Sequence, residues 1–455
     1  MDFRPAGRPG GHTMTRRSGL SARRLPDEGR PGEGPAPAGS ARRRTGALAA
    51  ALVVLPGLLA TSACGGSAPA GTGDSGDYTV MTWAPSGSGS ADRHGVTAVA
   101  AAIGKSVDAA GGLGGRKLQV LTCDEQNTPD GATACARKAA DAHAVAVIGS
   151  YSQYADIFMP TLEAAGIPYL GGFGLSGAEF SSPYSYPVAG GTPTLVAGSG
   201  RQLAAAGCRN VTLIRPDTRA GDTLTRYLSG ALQPSGAKLT DVKVGEKTTD
   251  LGGPATRAIG DDKAGSCVID ALGPDQTLGL IDAYRRLGPK RTLLASLLGG
   301  VQQSAIDATG GAASPLNESL ATGWYPPEGS RVWDDLRATV RAGGDEHIDT
   351  SDLGVQNTWV AYQVFLQAAQ RISSAGRPLT AKTLRAQLDS GDSLDTGGAT
   401  PALNWGQTDM LPSAESPRLV NTWVTFQQVK DGRLAEQQRG FSDVRWVLTG
   451  GKPPQ

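Results

Sequence analysis

Ser150 ends the apolar run VAVIGS, with Tyr151, Ser152 and Gln153 directly after it, and Phe173, Gly174, Leu175 and Ser176 follow IPYLGG in the same way. Hydroxyl, amide and ring groups in such places can grip a small solute. Ligands of open α/β sheets lie outside the carboxyl ends of the strands, and the N-termini of the following helices offer N–H groups to anions. Trp83 holds the corresponding place at the end of YTVMTWA. In the second half of the chain, Asp217, Thr218 and Arg219 follow VTLIRP, Gly273 to Asp275 follow CVIDAL, and Leu297 to Gly299 follow TLLAS. Ser152 and Gln153 are the leading candidates to hold a carboxylate or another polar head; their plainer role would be to cap a helix expected over 153–165. Trp83, Tyr151, Tyr154 and Phe173 can supply apolar or cation–π walls.

Enzymatic constellations are not visible. GKS at Gly104 to Ser106 has Val99 where a phosphate loop needs its earlier glycine. GLSGA at Gly174 fails as a nucleophile elbow at Ala178. His12, His94, His143 and His347 have no ligand-like spacing, and no CxxC is present for zinc. Neither a metal nor another cofactor is therefore expected, nor is catalysis. Lys and Arg number 43 against 42 Asp and Glu, which gives no reason to expect nucleic acid.

Short apolar strands alternate with helical stretches from Tyr78 onward, the pattern of parallel sheets with crossover helices. The first series reads YTVMTWA, KLQVLT, VAVIGS and IPYLGG; a second, after VAGGTPT, reads NVTLIRP, KLTDVKV, SCVIDAL and RTLLAS. Two open sheets in tandem imply two lobes with a cleft between them. Farther on, Val355, Trp359, Tyr362, Leu366 and Ala369 recur on one helical face, with Gln356, Asn357, Gln363, Gln367 and Gln370 opposite. That pattern predicts a helix packed on a lobe. The strand TWVTFQQV and the turn KDGR come last.

The run RRRTGALAAALVVLPGLLATSACGG, Arg42 to Gly66, is too short and small-residue-rich for a membrane span of ~20 apolar residues, but it fits an export signal. Thr61-Ser62-Ala63-Cys64 resembles a bacterial lipobox, although Thr61 stands where Leu, Val or Ile is usual. Residues 1–63 are thus expected to be a disordered leader and export signal, Cys64 a lipidated N-terminus, and 64–77 a flexible tether. Plain secretion or a retained anchor is the alternative. Outside the cytoplasm disulfides persist. Of the three pairings open to the remaining cysteines, Cys123 with Cys135 and Cys208 with Cys267 are favoured, because Cys135 lies in the helix after the strand that Cys123 ends, and Cys208 and Cys267 each lie just before or at the start of an apolar strand and could meet if those strands are neighbours; four buried thiols is the other reading.

The stretch VDAAGGLGGRKLQVLTCDEQNTPDGATACARKAADAHAVAVIGSYSQ resembles the opening of the branched-chain amino acid (Leu/Ile/Val) type of solute-binding proteins of ABC importers. The likeness continues through AAGIPYLGG, RNVTLIRPDTRAGD, DAYRRLG and ALNW, from about Tyr78 to Phe441. It implies an α/β type I periplasmic binding protein, a two-lobed Venus flytrap in which each lobe is a doubly wound parallel sheet. Lobe one would comprise 78–189 with 320–405, and lobe two 190–319 with 406–450. The crossings near 189–192, 320–327 and 405–412 would form the hinge. It also implies a monomeric, extracytoplasmic receptor, tethered by lipid on Cys64, that passes a small solute to an ABC permease and its ATPase. A ligand-sensing lipoprotein of the same fold is the alternative. Amino-acid binders of the family usually have Thr or Ser after the fourth strand, where Leu175 stands with Ser176 one place off. They usually carry an acid near Leu297-Leu298 to meet an ammonium; Asp275 or Asp217 would have to replace it. A small polar or amphiphilic solute is therefore expected, and a branched-chain amino acid less so.

Overall fold

The computed structural model describes residues 76–87, 92–245, 247–296, 300–345 and 347–454. The leader 1–63, Cys64, the tether up to residue 75 and Leu297 to Gly299 lie outside the described residues.

The first series of strands builds one parallel sheet. Its strands are β1 (Tyr78–Ala84), β2 (Leu118–Asp124), β3 (Ala146–Ile148), β4 (Tyr169–Leu170) and β5 (Ser185–Tyr186), in the order β2-β1-β3-β4-β5. Helices α1 (His94–Ala109), α2 (Pro129–Asp141), α3 (Ala155–Ala165) and the short α4 (Ala178–Ser181) connect them. Parallel strands flanked by helices are buried on both faces and read as nearly unbroken apolar runs. Ala146, Val147 and Ile148 accordingly have no exposed surface.

After α5 (Gly191–Ala205) the second series begins. Strands β6 (Asn210–Pro216), β7 (Lys238–Val244), β8 (Ser266–Asp270) and β9 (Leu293–Ser296) alternate with α6 (Arg219–Leu232), α7 (Gly252–Ile259) and α8 (Pro274–Leu287). The chain continues through α9 (Gln303–Ala308), β10 (Leu320–Gly323), α10 (Asp334–Gly343), α11 (Leu353–Ser374) and α12 (Ala381–Leu388). It closes with β11 (Trp423–Lys430), β12 (Arg433–Glu436), β13 (Ser442–Asp443) and α13 (Arg445–Leu448). The second sheet has the order β12-β11-β10-β9-β8-β6-β7, with β13 beside β11. It is parallel from β10 to β7, and β11 enters it antiparallel. The molecule is thus the expected two-lobed α/β architecture.

The lobe boundaries shift from those expected. Residues 320–323 pair with β9 and β11, so they belong to the second sheet and not to lobe one. Leu411 and Leu419 pack with Phe180, and Arg418 donates to the Ser185 carbonyl, so the third crossing comes near Asn421 and not at 406. The crossings are tied to each other: Trp324 Nε1 donates to the Gly191 carbonyl at 3.2 Å, and Asn421 Nδ2 to the Val188 carbonyl at 2.8 Å. Gly191 has φ +64, and a Cβ there would run into the Phe180 ring, so glycine is required where the first crossing turns.

Helix α11 departs from its expected two-faced character. Gln356 and Asn357 are buried along with Val355 and Trp359. Asn357 Nδ2 donates to the Gly171 carbonyl and its Oδ1 accepts from the Tyr325 hydroxyl, each at 2.8 Å. The N-terminal half of α11 is therefore wedged against the end of β4 and the second crossing. Its amides serve as buried hydrogen-bond partners there, as burial of a polar group requires.

Both favoured disulfides are present. Cys123 at the end of β2 joins Cys135 in α2 (Cα–Cα 5.7 Å), and Cys208 before β6 joins Cys267 in β8 (Cα–Cα 5.9 Å). No helix among the described residues is long and apolar enough to cross a membrane.

Candidate ligand-binding site

A cavity of about 400 Å³ opens between the lobes at the carboxyl ends of the strands. Lobe one lines it with Arg93, Tyr151, Gln153, Phe173, Leu175 and Asp352 to Gly354, and lobe two with Pro216, Ala271 to Gly273 and Gln302. Four helices point their N-termini at this space. Arg93 is the N-cap of α1, Gln153 adjoins the N-cap of α3, Gly273 is the N-cap of α8, and Asp352 is the N-cap of α11. Each end carries partial positive charge from its N–H groups. The ends of α1, α3 and α8, which carry no side-chain cap, favour an anionic ligand group, while that of α11 is already met by the Asp352 carboxylate.

Arg93 is the one basic side chain among the described residues lining the cavity. Its guanidinium carbon lies 5.1 Å from the centre of the Tyr151 ring, which in turn packs against Phe173 with ring centres 4.6 Å apart. Phe173 rests on Trp324 of the second crossing, ring centres 5.1 Å apart. Asp352 caps α11 through Oδ1, which accepts from the Gly354 and Val355 N–H groups at 2.8 and 3.0 Å. Both capping bonds use that one oxygen, so Oδ2 stands outside the cap. Burial pushes the Asp352 carboxyl up, with the capping bond from Val355 and the Arg93 charge pulling it down.

The loops that carry the lining residues are held from behind by buried carboxylates. Glu179 accepts from the N–H groups of Gly174, Leu175 and Ser176, at 2.8, 2.8 and 3.2 Å, which fixes the turn that presents Leu175. Burial raises its carboxyl to about 7. Asp270 accepts from the Leu272 N–H at 3.0 Å and lies 3.4 Å from Ser296 Oγ, so it fixes the facing loop of lobe two. Burial raises it to about 6.

Several sequence candidates turn away from the cleft. Trp83 is fully buried in the core of lobe one, against Phe158 and Tyr169, because β1 is an interior strand and Trp83, like Met81, points to the face covered by α2 and α3. Ser150 and Ser152 have no exposed surface. Ser150 Oγ accepts from the Trp83 N–H and Ser152 Oγ from the Tyr154 N–H, so these two hydroxyls hold the loop instead of reaching into the cavity. Gln153 lines the cavity with its amide turned to Asn127 Oδ1 and the Tyr154 hydroxyl. Asp217 is drawn off to Lys243, 3.4 Å away. Thr218 caps α6 through the Gly221 N–H. The backbone of Asp275 lies in the first turn of α8; its side chain is outside the described residues. Tyr151, Phe173, Leu175 and Gly273 do meet in the cleft, while Gly174, Leu175 and Ser176 line a neighbouring chamber.

Sequence reading missed Arg93, Asp352, Pro216 and Ala271. The signal for Asp352 was its place just before the long apolar-striped helix, where an N-cap belongs. Arg93 follows a loop without strong pattern and gave none.

Glu125, at the end of β2, is fully buried beside Ser152, and neither of its oxygens makes a hydrogen bond of ordinary geometry. Burial raises it from 4.5 to about 7. The folded state therefore holds an extra proton between those values, and this group's contribution to stability declines as pH rises through that window. Glu125→Gln is expected to melt higher than the parent at pH 8, with the gap shrinking toward pH 5. Equal gaps at both pH values would contradict the assignment.

Comparison with known proteins agrees with this geometry. A family model described as periplasmic binding protein matches residues 81–432. No curated protein sequence matches. Among solved structures, the fold is similar to a possible leucine/isoleucine/valine-binding protein from Rhodopirellula baltica SH 1 (TM-score 0.66, 15% identity, 80% of this chain and 97% of that one). It is also similar to a fatty acid ABC transporter substrate-binding protein from Thermomonospora curvata (TM-score 0.65, 14% identity, 81% and 94%). A substrate-binding periplasmic protein from Ralstonia solanacearum is alike to a similar degree (TM-score 0.63, 16% identity, 79% and 100%). With two lobes, three tied crossings, an interlobe cavity and a family match over most of its length, the chain belongs to the periplasmic binding protein family, a ligand-binding receptor and not an enzyme.

Proposed function

We propose that this protein captures a small carboxylate ligand, amino-acid-like in its polar head, and delivers it to an ABC permease powered by a cytoplasmic ATPase. The observation that carries the reading is the convergence of Arg93 and the uncapped N-termini of α1, α3 and α8 on one interlobe cavity. A carboxylate would meet Arg93 and the helix ends, while an ammonium would meet Asp352 Oδ2, so that neither charge is buried unpaired. The names of two similar structures, one for leucine, isoleucine and valine and one for fatty acids, share the carboxylate as their common chemistry. Closure would be a hinge motion about the three crossings. The receptor would stand outside the cytoplasm as a monomer, anchored by lipid on Cys64. The lipobox-like TSAC supports that anchor, and Cys64→Ser should then move the protein from the membrane fraction to the medium.

The test is a thermal-shift panel under non-reducing conditions with amino acids, other carboxylic acids, amines, amides and sugars. A ligand at 100 times its dissociation constant adds about 2.7 kcal/mol to stability. Amino acids or other carboxylates are expected to raise the melting temperature. Stabilisation by sugars or amines alone would overturn the carboxylate reading.

A further inference from the structure

The interlobe cavity does not end at Leu175. A second chamber of about 350 Å³ adjoins it and shares Leu175, Pro216 and Ala271 as common wall. Beyond these residues it is lined by Phe180, Pro193 and Leu224, with Tyr227 at its side. Ser176, Thr192, Thr218, Thr223 and Ser416 supply its neutral polar lining. Its charged lining residue is Glu415, which is engaged by Arg226 at 2.5 Å and by the Tyr227 hydroxyl at 3.3 Å. The two chambers thus differ in kind: the first holds Arg93, Asp352 and the helix N-termini, and the second offers mostly apolar wall. The wall comes from α4, the first crossing, α6 and the loop after β8, so both lobes and the hinge contribute.

We propose that the ligand carries a long apolar side group, which crosses Leu175, Pro216 and Ala271 and fills this second chamber while its carboxylate stays at Arg93. The inference rests on the interlobe cavity being the binding site, and it adds the substrate class: amphipathic amino acids or comparable acids with a side group longer than that of leucine. The chamber's chemistry argues for this occupant. Leu175, Phe180, Pro193, Pro216, Leu224 and Ala271 give the chamber a continuous apolar wall, so an apolar chain laid against them is removed from water. A compact polar solute would leave the chamber unused. The first chamber by itself already falls within the ~300–1,000 Å³ typical of small-molecule sites, so the added space serves extension of the ligand.

The experiment is calorimetric titration of the protein with leucine, 2-aminooctanoate and octylamine. Because each additional buried methylene contributes a few-fold in affinity, 2-aminooctanoate is expected to bind at least about tenfold more tightly than leucine. Octylamine, which lacks the carboxylate, should bind weakly. Leu224→Trp fills the chamber and should bring 2-aminooctanoate down to the level of leucine while leaving leucine binding in place, which also reports that the variant folds. Leu224→Ala, as a second variant, should retain or increase the preference for the longer chain. Equal affinity for leucine and 2-aminooctanoate in the parent, or an undiminished preference in folded Leu224→Trp, overturns the inference while the cleft reading stands. Octylamine binding as tightly as 2-aminooctanoate overturns the placement of the carboxylate at Arg93. If neither amino acid binds, the cleft reading itself falls, and this inference with it.

Discussion

Arg93→Met is expected to weaken binding of a carboxylate ligand about thirtyfold, since a hydrogen bond to a charged group is worth about 2 kcal/mol. Methionine keeps apolar bulk over the Tyr151 ring, so the loss would report the charge and not a collapsed wall. Arg93→Lys should fall between parent and methionine, because lysine retains the charge but lacks the planar fork that grips both carboxylate oxygens. Calorimetry with whichever carboxylate gives the largest thermal shift measures both variants. The unliganded melting temperature should change little, as Arg93 is half-buried on the cavity wall and outside the core. Unchanged affinity in Arg93→Met would remove Arg93 from the site and leave the helix N-termini to hold the anion alone. Asp352 gives the companion result: with the Arg93 charge gone its carboxyl is raised further, so any ammonium contact there is lost at a higher pH than in the parent.

The second large effect is on stability. Replacing Cys208 and Cys267 together by serine is expected to cost about 4 kcal/mol, and replacing Cys123 and Cys135 about 3 kcal/mol, on the chain-entropy account of loop closure. The order follows from the loops, whose ends are 59 and 12 residues apart. The longer bridge also ties β6 to β8 at the point where Val211 is in register with Cys267. Strand β8 runs on to Asp270, which holds the cleft loop at Leu272, so ligand affinity should fall along with stability in that variant. Thermal and urea unfolding of the two double variants against the parent measures both costs. A larger loss from the short bridge would show that native packing around Cys135, which is fully buried, outweighs loop closure.

Much of the fold was legible because parallel strands buried on both faces leave continuous apolar runs, and the eight quoted runs all became strands or strand ends. The Cys123–Cys135 bridge was legible for a related reason, since it joins a strand to the helix that follows it, whereas Cys208 and Cys267 meet because β6 and β8 pair in the sheet although β7 comes between them along the chain. What misled was burial. Trp83 and Ser152 sit at the carboxyl ends of strands, as ligand contacts should, but alternate residues there point back into the lobe. Asn357 lies opposite the apolar stripe of α11, yet the helix is enclosed on that side too, by the end of β4 and the second crossing.

By itself the sequence determined two α/β lobes, their strand order of appearance and the end of each lobe at which a ligand must lie, since these depend on local periodicity and on neighbours along the chain. Only the tertiary structure decided that Arg93, Asp352 and Leu175 face Pro216 and Ala271 across one cavity. Those residues come from five separate places along the chain, and no local pattern records which of their side chains the packing turns toward the gap.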